Sequence, residues 1–237
     1  MLRSLFFHCV PPGIRALMLN GLLLKFPFLY RTKLVNYESQ LGKNNGIEDL
    51  LTKLNAVLNV EGNVIECGSY VCGTTVIIAN YLRLTGTNKK VYALDLFGGG
   101  FNIKELEEER LAGLTKAKDT AFTHTSYEYV KRKIEKLGFS AIIIPVRGFF
   151  EYNLPYIDSK FCFALIDCDL KKSILYCAET IWPKLSKGGI MLFDDYDYEL
   201  YRAFKGPKIA IDEFVNKYRS EISEHGLLSR LYCIVKA

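Results

Sequence analysis

Acidic residues follow two apolar runs at the points where the runs end. Residues 163–169 read FALIDCD, and residues 191–197 read MLFDDYD. If these runs are neighbouring strands, Asp167, Asp194 and Asp195 converge at one sheet edge, where carboxylates repel one another unless a cation lies between them. Oxygen ligands of this kind favour Mg²⁺ or a similarly hard ion. Acids at strand ends also cap helices, but paired acids at two strand ends indicate a metal site.

A glycine-containing turn follows an earlier run, in the sequence VIECGSYVCGTT at residues 64–75. Gly68 and Gly73 permit a tight turn and a close approach of the backbone to a ligand. The turn lacks the lysine of a phosphate-binding P-loop, because Thr74 stands there, and Tyr70 replaces the middle glycine of a dinucleotide fingerprint. The acid before the turn, Glu66, suits an amine or another cationic group better than a pyrophosphate.

A further acid, Asp95, ends the apolar part of the segment YALDLFGGG. A carboxylate at this place can accept hydrogen bonds from both hydroxyls of a ribose, although it can also cap the next turn. Together with Glu66, Gly68 and Gly73, it describes a pocket for a nucleoside that carries a positive charge. S-adenosylmethionine fits that description.

The elements that must position these residues are short apolar runs that alternate with amphipathic helices. The runs are Val64–Cys67, Val91–Leu94, Ala141–Val146, Phe161–Ile166, Ile190–Phe193 and Leu231–Val235. Continuously apolar strands between helices are typical of a parallel sheet that is covered on both faces. We therefore expect an α/β fold: a doubly wound, Rossmann-like, mostly parallel seven-stranded sheet, with ligands at the carboxyl ends of its strands.

Capping signals predict where two of the helices begin and end. Thr125 to Glu128 reads as a capping box that opens a helix through Lys136. Ser173 is expected to cap a second helix, which the glycines at positions 188 and 189 would end.

Residues 1–45 are expected to form an N-terminal amphipathic helical segment, and residues 46–237 the catalytic domain. The stretch Ile14–Tyr30 is rich in Leu and Phe, but charged residues interrupt it and Pro27 would break it. It is too short to span a membrane and lacks the form of a signal peptide. The segment is expected to pack on its own domain or on a sister subunit, with contact to a membrane surface as the alternative.

Composition limits the partners and the compartment. The 237 residues carry a net charge of +5, with 31 basic and 26 acidic residues and no basic run, so nucleic acid is excluded as an expected partner. The seven cysteines are scattered and form no zinc-type pair, which favours buried free thiols in a reducing, cytoplasmic setting.

Several of these segments resemble one known family in order and spacing. They are GNVIECGSYVCGTT, KVYALDLF, IIIPVRGFFEYNLP, FALIDCDLKKS and PKLSKGGIMLFDDYD, from about Gly62 to Phe214. The chain is similar to the macrocin O-methyltransferases, which are metal-dependent enzymes that use S-adenosylmethionine to modify macrolides and sugars. It departs from the family pattern at Cys168, in the residues 170–173, and in Gly98–Gly100, and these changes bear on the acceptor.

The resemblance implies roles for individual residues. Glu66, Gly68 and Gly73 would line the methionine end, Asp95 would hold the ribose, and the segment Arg147–Phe149 would border the adenine. The full cofactor set is Glu66, Gly68, Ser69, Tyr70, Gly73, Thr74, Thr75, Asp95, Arg147, Gly148, Phe149 and Asp167. Asp167, Asp194 and Asp195 would ligate Mg²⁺, with Asp167 also acting as the base.

The leading hypothesis is an S-adenosylmethionine- and Mg²⁺-dependent O-methyltransferase whose acceptor is a sugar or a glycosylated small molecule. His124 is a second candidate base, although a loop histidine is more commonly a solvated residue. The alternatives are a catechol-type O-methyltransferase, a nicotinamide-dependent oxidoreductase, and a non-catalytic domain that keeps the fold. A homodimer is also expected from the aromatic N-terminal segment.

Overall fold

The computed structural model describes residues 45–197 and 204–237, together with Ser39 and Leu41. The predicted N-terminal helix therefore lies outside the described residues. The helices are α1 Gly46–Ala56, α2 Gly73–Leu84, α3 Ile103–Leu111, α4 Tyr127–Lys136, α5 Phe150–Asn153, α6 Lys171–Ile181 and α7 Gly206–Lys217. The strands are β1 Asn63–Cys67, β2 Val91–Asp95, β3 Ile143–Arg147, β4 Phe161–Ile166, β5 Leu185–Phe193, β6 Ile222–Leu227 and β7 Tyr232–Lys236.

Within the described residues, seven strands form one sheet in the order β3-β2-β1-β4-β5-β7-β6. The first five strands of this order are parallel, and β7 is antiparallel to both β5 and β6. The chain winds outward from β1 to β3 and returns to β4, so its direction of winding reverses between β1 and β4. The expected mostly parallel, doubly wound sheet is confirmed.

Helices cover both faces of the sheet, and each face has its own apolar core. On one face α1, α2 and α4 contribute Leu50, Val76 and Ile134. On the other, α6 and α7 contribute Ile181 and Phe214. β4 is buried along its whole length, as a central strand between two helical layers must be.

The beginning of α6 differs from the sequence prediction. The helix begins at Lys171 rather than after Ser173, and two carboxylates of α3 cap it. The backbone N–H and the hydroxyl of Ser173 donate to Glu105 at 2.8 and 2.7 Å, and the N–H of Lys171 donates to Glu109. Acids at a helix N-terminus satisfy its free N–H groups and stabilise its dipole, so α3 docks on α6 through these bonds.

Two further boundaries are corrected. The α6 helix ends at Ile181, and the glycines at 188 and 189 lie inside β5 rather than at the helix end. The cap of α4 is Ser126, one residue after the predicted capping box begins, and its side chain accepts from the N–H of Tyr129 at 3.1 Å.

Candidate active site

The strand register brings the predicted site residues into one row. Cys67, the last residue of β1, pairs with Leu94 of β2 and with Ile166 of β4, which in turn pairs with Phe193 of β5. The next residues along these four strands are Gly68, Asp95, Asp167 and Asp194, and they lie side by side at the carboxyl edge. This is the edge at which doubly wound sheets bind ligands.

A cavity of about 320 Å³ opens at this edge. Twelve predicted site residues line it: Glu66, Gly68, Ser69, Tyr70, Gly73, Thr74, Asp95, Gly148, Phe149, Asp167, Asp194 and Asp195. Its volume is in the range of a pocket for a small molecule or cofactor.

Three predicted residues lie away from the cavity lining. Thr75 is fully buried behind it and donates a hydrogen bond to Glu66. Arg147 is exposed at the end of β3, and His124 is exposed in the loop before α4. Thr75 therefore acts through Glu66. Arg147 ends β3 beside Asp95 and so lies at the same sheet edge, but its exposed side chain is outside the cavity lining, and His124 lies in a loop away from the strand ends.

The turn after β1 requires glycine at its first position. Gly68 has φ +92°, and a Cβ atom there would lie 1.7 Å from the carbonyl oxygen of Asp167. The turn is held on β2 by the N–H groups of Gly68 and Ser69, which donate to Leu94 at 2.9 and 3.2 Å. Two strand ends thus approach each other more closely than any side chain would allow.

Asp95 organises the loops on both sides of it. Its Oδ2 accepts from the N–H of Tyr70 at 2.9 Å, and its Oδ1 accepts from the N–H of Phe97 at 2.7 Å. Burial raises the pKa of its carboxyl group, while these N–H donors lower it. Each carboxylate oxygen retains a second lone pair, so the group can still accept hydrogen bonds from a ligand in the cavity.

Glu66 is a buried acid at the floor of the cavity, 1% exposed. Burial raises its pKa to about 7, although the Thr75 hydroxyl opposes this by donating to it. A buried carboxyl group in this condition is stabilised by a cationic ligand, which would favour its ionised form. The residue fits the amine that the sequence analysis expects there.

The raised pKa of Glu66 predicts that the stability of the folded protein depends on pH. The folded protein holds this proton up to about pH 7, whereas the unfolded chain releases it near 4.5. The folded state thus binds more protons in this window, so stability falls as pH rises from 4.5 to 7 and stays lower above it, by at most about 3 kcal/mol. Glu66→Gln, which keeps an acceptor for Thr75, should make the fall smaller by this amount, while the other buried acids with raised pKa values, Glu109 and Asp195, keep their share.

Denaturant unfolding at pH 5 and pH 8 measures the effect of that substitution. The matched control is Glu135→Gln on the exposed surface of α4, which should keep the wild-type difference between the two pH values. Parallel pH dependence in wild type and Glu66→Gln would contradict the assignment.

Carboxyl groups dominate the other end of the cavity. Burial raises the pKa of Asp167 well above its ordinary value, and the charges of Asp194, Asp169 and Asp195 raise it further. Burial also raises the pKa of Asp195 to about 6. Burial raises the pKa of Asp169 well above its ordinary value, and the charges of the neighbouring Asp195 and Asp194 raise it further.

Two residues of this cluster are missing from the predicted site set. Asp169 completes the D-x-D pattern and lines the cavity, and its place in that pattern was the available signal. Arg230 also lines the cavity and forms a buried, two-pronged ion pair with Asp194, donating from Nε to Oδ1 at 2.6 Å and from Nη2 to Oδ2. Its sequence neighbourhood contains no motif that indicates this role.

The expected Mg²⁺ centre does not fit these residues as they are arranged. Their oxygen chemistry suits a hard cation, but Asp194 already engages Arg230 through both oxygens. In the part of the chain that the structure describes, no three His, Cys, Asp or Glu side chains form a group that could hold a metal ion.

The described cysteines agree with the expectation of free thiols. Cys67, Cys72, Cys162, Cys168, Cys177 and Cys233 are all buried and unbridged. Among the described helices, none has the length and apolar character needed to cross a membrane.

Comparison with solved structures places the fold among methyltransferases. The O-methyltransferase NovP aligns with a TM-score of 0.69 at 18% identity, over 94% of this chain and 99% of NovP. CalS11, described as a TDP-rhamnose 3'-O-methyltransferase of calicheamicin biosynthesis, aligns with a TM-score of 0.58 at 19% identity over 96% of each chain. The S-adenosylhomocysteine-bound methyltransferase PaMTH1 of Podospora anserina gives 0.55 at 16% identity, over 96% of this chain and 89% of PaMTH1.

At these identities the structural likeness shows the fold alone, and no curated protein matches the sequence. A family model decides the membership. It describes the macrocin-O-methyltransferases (TylF) and matches residues 43–224, which include every strand end that borders the cavity. The chain therefore belongs to the macrocin-O-methyltransferase family.

Proposed function

We propose that this protein transfers the methyl group of S-adenosylmethionine to a hydroxyl group of a sugar or a glycosylated small molecule. The observation that carries the proposal is the row of Gly68, Asp95 and Asp167 around one cavity, with Glu66 at its floor. The family supplies the reaction class. The sugar acceptor is supported by the description of CalS11 as a TDP-rhamnose 3'-O-methyltransferase.

The residues divide the cavity into a cofactor half and an acceptor half. We assign the methionine amine of the cofactor to Glu66. The cofactor then approaches the protein backbone closely at the turn 68–73. The ribose is assigned to Asp95, and Gly148 and Phe149 border the adenine. Asp167 stands between the halves because its strand, β4, lies next to β1.

When bound, S-adenosylmethionine supplies a methyl group that is already activated by its sulfonium. The protein then has to orient the acceptor hydroxyl and remove its proton. Orientation alone can contribute about 7 kcal/mol or more when the geometry is near ideal. We assign proton removal to Asp167, because burial and neighbouring acids raise the pKa of its carboxyl group and make it a stronger base.

Magnesium is left out of this proposal, since the acids as arranged do not offer it a site. The division at residue 45, the homodimer, the cytoplasmic location and membrane contact by the N-terminal segment stay predictions.

Two residues before the predicted boundary at residue 45 contact the domain. The hydroxyl of Ser39 lies 2.8 Å from that of Thr74, and Leu41 is fully buried in the core. We propose that Ser39 borders the cofactor half of the cavity beside Thr74.

Calorimetry with S-adenosylmethionine tests the function, and Asp95→Asn tests the site. The wild type should bind the cofactor, while the variant should bind it about 10- to 100-fold more weakly, since charge-assisted hydrogen bonds contribute about 1.5–3 kcal/mol. The exposed Asp158→Asn is the matched control and should bind as the wild type does. Absence of wild-type binding at millimolar cofactor, or equal binding by Asp95→Asn, would overturn the proposal.

A further inference from the structure

Arg230 is a buried cation inside the acidic end of the cavity. Its side chain is 6% exposed and that of its partner Asp194 is 4% exposed. The guanidinium engages both oxygens of the Asp194 carboxylate in a fork, which is the strongest geometry for such a pair. Arginine stays protonated at any ordinary pH, so the positive charge is permanent.

The backbone around Arg230 fixes this geometry. Phe193 of β5 pairs with Tyr232 of β7, so the residue two places before β7 lies beside the acids that follow β5. The hairpin that carries it is closed by a bond from the N–H of Leu228 to the carbonyl of Leu231 at 2.9 Å. The hairpin is also tied to α1, because the N–H and hydroxyl of Ser229 donate to Asp49 at 3.0 and 2.6 Å.

The α1 helix also packs on the Arg230 side chain. A Cβ atom at Gly46 would lie 3.0 Å from Cδ of Arg230, so the first residue of the helix leaves just enough room for the arginine stem. The guanidinium is thus held between a helix and a hairpin before any ligand arrives. It is a built feature of the cavity rather than a mobile surface charge.

This arrangement changes what the carboxylates can do. Asp194 offers both oxygens to Arg230, so its carboxylate is already engaged by a cation. A divalent ion would have to displace the guanidinium from Asp194 to use its oxygens. The metal ion and the Arg230 guanidinium would compete for the carboxylate of Asp194, and the guanidinium has the advantage because it is part of the protein chain.

We propose that Arg230 provides the positive charge that a divalent ion would otherwise provide among these acids, so that this enzyme transfers methyl groups without a metal. The inference rests on the proposed function and refines its acidic half. Arg230 is a positioning residue: it holds Asp194 and offsets the negative charge around Asp167. The proposal is based on the contacts of Asp194, both of whose carboxylate oxygens accept from Arg230, and on the helix and hairpin that hold Arg230 in position.

Metal binding gives a readout that does not depend on activity. Electron paramagnetic resonance of Mn²⁺ should show no bound ion in the wild type, and excess chelator should leave turnover unchanged. Arg230→Met removes the competing cation and frees Asp194, so this variant should gain binding of one Mn²⁺, at least about tenfold tighter than any binding detectable in the wild type. Arg219→Met, at an exposed arginine, should behave as the wild type.

Each result decides the proposal. Tight binding of one Mn²⁺ by the wild type together with loss of turnover in chelator would overturn it. Absence of Mn²⁺ binding by a folded Arg230→Met would reduce the arginine to a structural role and overturn it as well. If the methionine variant does not fold, Arg230→Gln, which keeps one donor for Asp194, takes its place in the Mn²⁺ measurement. The chelator measurement is made on the wild type and depends on neither variant.

Two independent measurements on the same protein distinguish failure of the Arg230 proposal from failure of the proposed function. Mn²⁺ binding is read without S-adenosylmethionine, and cofactor binding is read by calorimetry without Mn²⁺. A protein that binds the cofactor and also needs a metal loses only the inference about Arg230. A protein that binds no cofactor loses the function, while the metal measurement still reports on the arginine.

Discussion

Asp167→Asn should slow methyl transfer by about 10²- to 10⁴-fold, the usual contribution of a positioned general base. The amide keeps the size of the carboxyl group but cannot take a proton from the acceptor hydroxyl. The backbone of Asp167 would stay in place, because its N–H donates to the carbonyl of Cys67 at 2.8 Å and its position is set by the sheet. Cofactor affinity should therefore change far less than turnover.

The pH dependence of the wild type follows from the same group. A base works only when deprotonated, and burial together with Asp194, Asp169 and Asp195 raises the pKa of Asp167 well above its ordinary value. Turnover should consequently rise with pH through this raised value, at a higher pH than an exposed aspartate would give. The charge of Arg230 acts in the opposite direction and lowers this pKa.

Turnover and cofactor affinity of three variants distinguish the possibilities. Asp167→Asn should lose turnover and keep cofactor binding, while Asp158→Asn, an exposed acid outside the cavity, should keep both. Asp169→Asn is the informative comparison, since that acid faces the same cavity. If Asp169→Asn abolishes turnover and Asp167→Asn leaves it unchanged, the base is Asp169 and the assignment made above is wrong.

The sheet could be predicted because its central strands are apolar on both faces. The run Phe161–Ile166 needs no alternation when helices cover both sides of it, and the structure buries all six residues. The strand that sequence reasoning missed is β6, with the sequence ISEHGL, whose side chains are exposed or half-buried. Its position at the edge of the sheet, paired with β7 alone, removes the apolar signal.

The row of strand-end residues could also be predicted, because parallel neighbours present their carboxyl ends at one edge whatever their register. Arg230 could not be predicted in this way. Its place beside Asp194 depends on β7 inserting antiparallel between β5 and β6, and on a hairpin tied to α1 by Asp49. No local pattern encodes a contact between two residues that are 36 positions apart.

The start of α6 illustrates a different limit. Ser173 has the right chemistry for a cap, but its hydroxyl and N–H both donate to Glu105, which lies 68 residues earlier in the chain. The helix can then begin three residues sooner, because carboxylates from α3 do the capping. Sequence signals locate caps only when the cap is local.

Gly68→Ala should abolish cofactor binding and lower the free energy of unfolding by several kcal/mol. The positive φ of +92° costs about 1–3 kcal/mol for a residue with a side chain. The new Cβ would also lie 1.7 Å from the carbonyl oxygen of Asp167, so either β4 or the turn must move. Both define the cavity, and a displacement of about 1 Å at such a site can cost about 100-fold.

Gly86→Ala separates the cost of a positive φ from the cost of a steric clash. Gly86 has a comparable positive φ of +71°, but a Cβ atom there meets nothing within 4 Å. This control should lose only about 1 kcal/mol in denaturant unfolding, as expected for a strained residue without a clash, and should bind S-adenosylmethionine normally in calorimetry. If Gly68→Ala loses no more than Gly86→Ala and still binds the cofactor, the close approach of β1 and β4 at Gly68 has no part in forming the site.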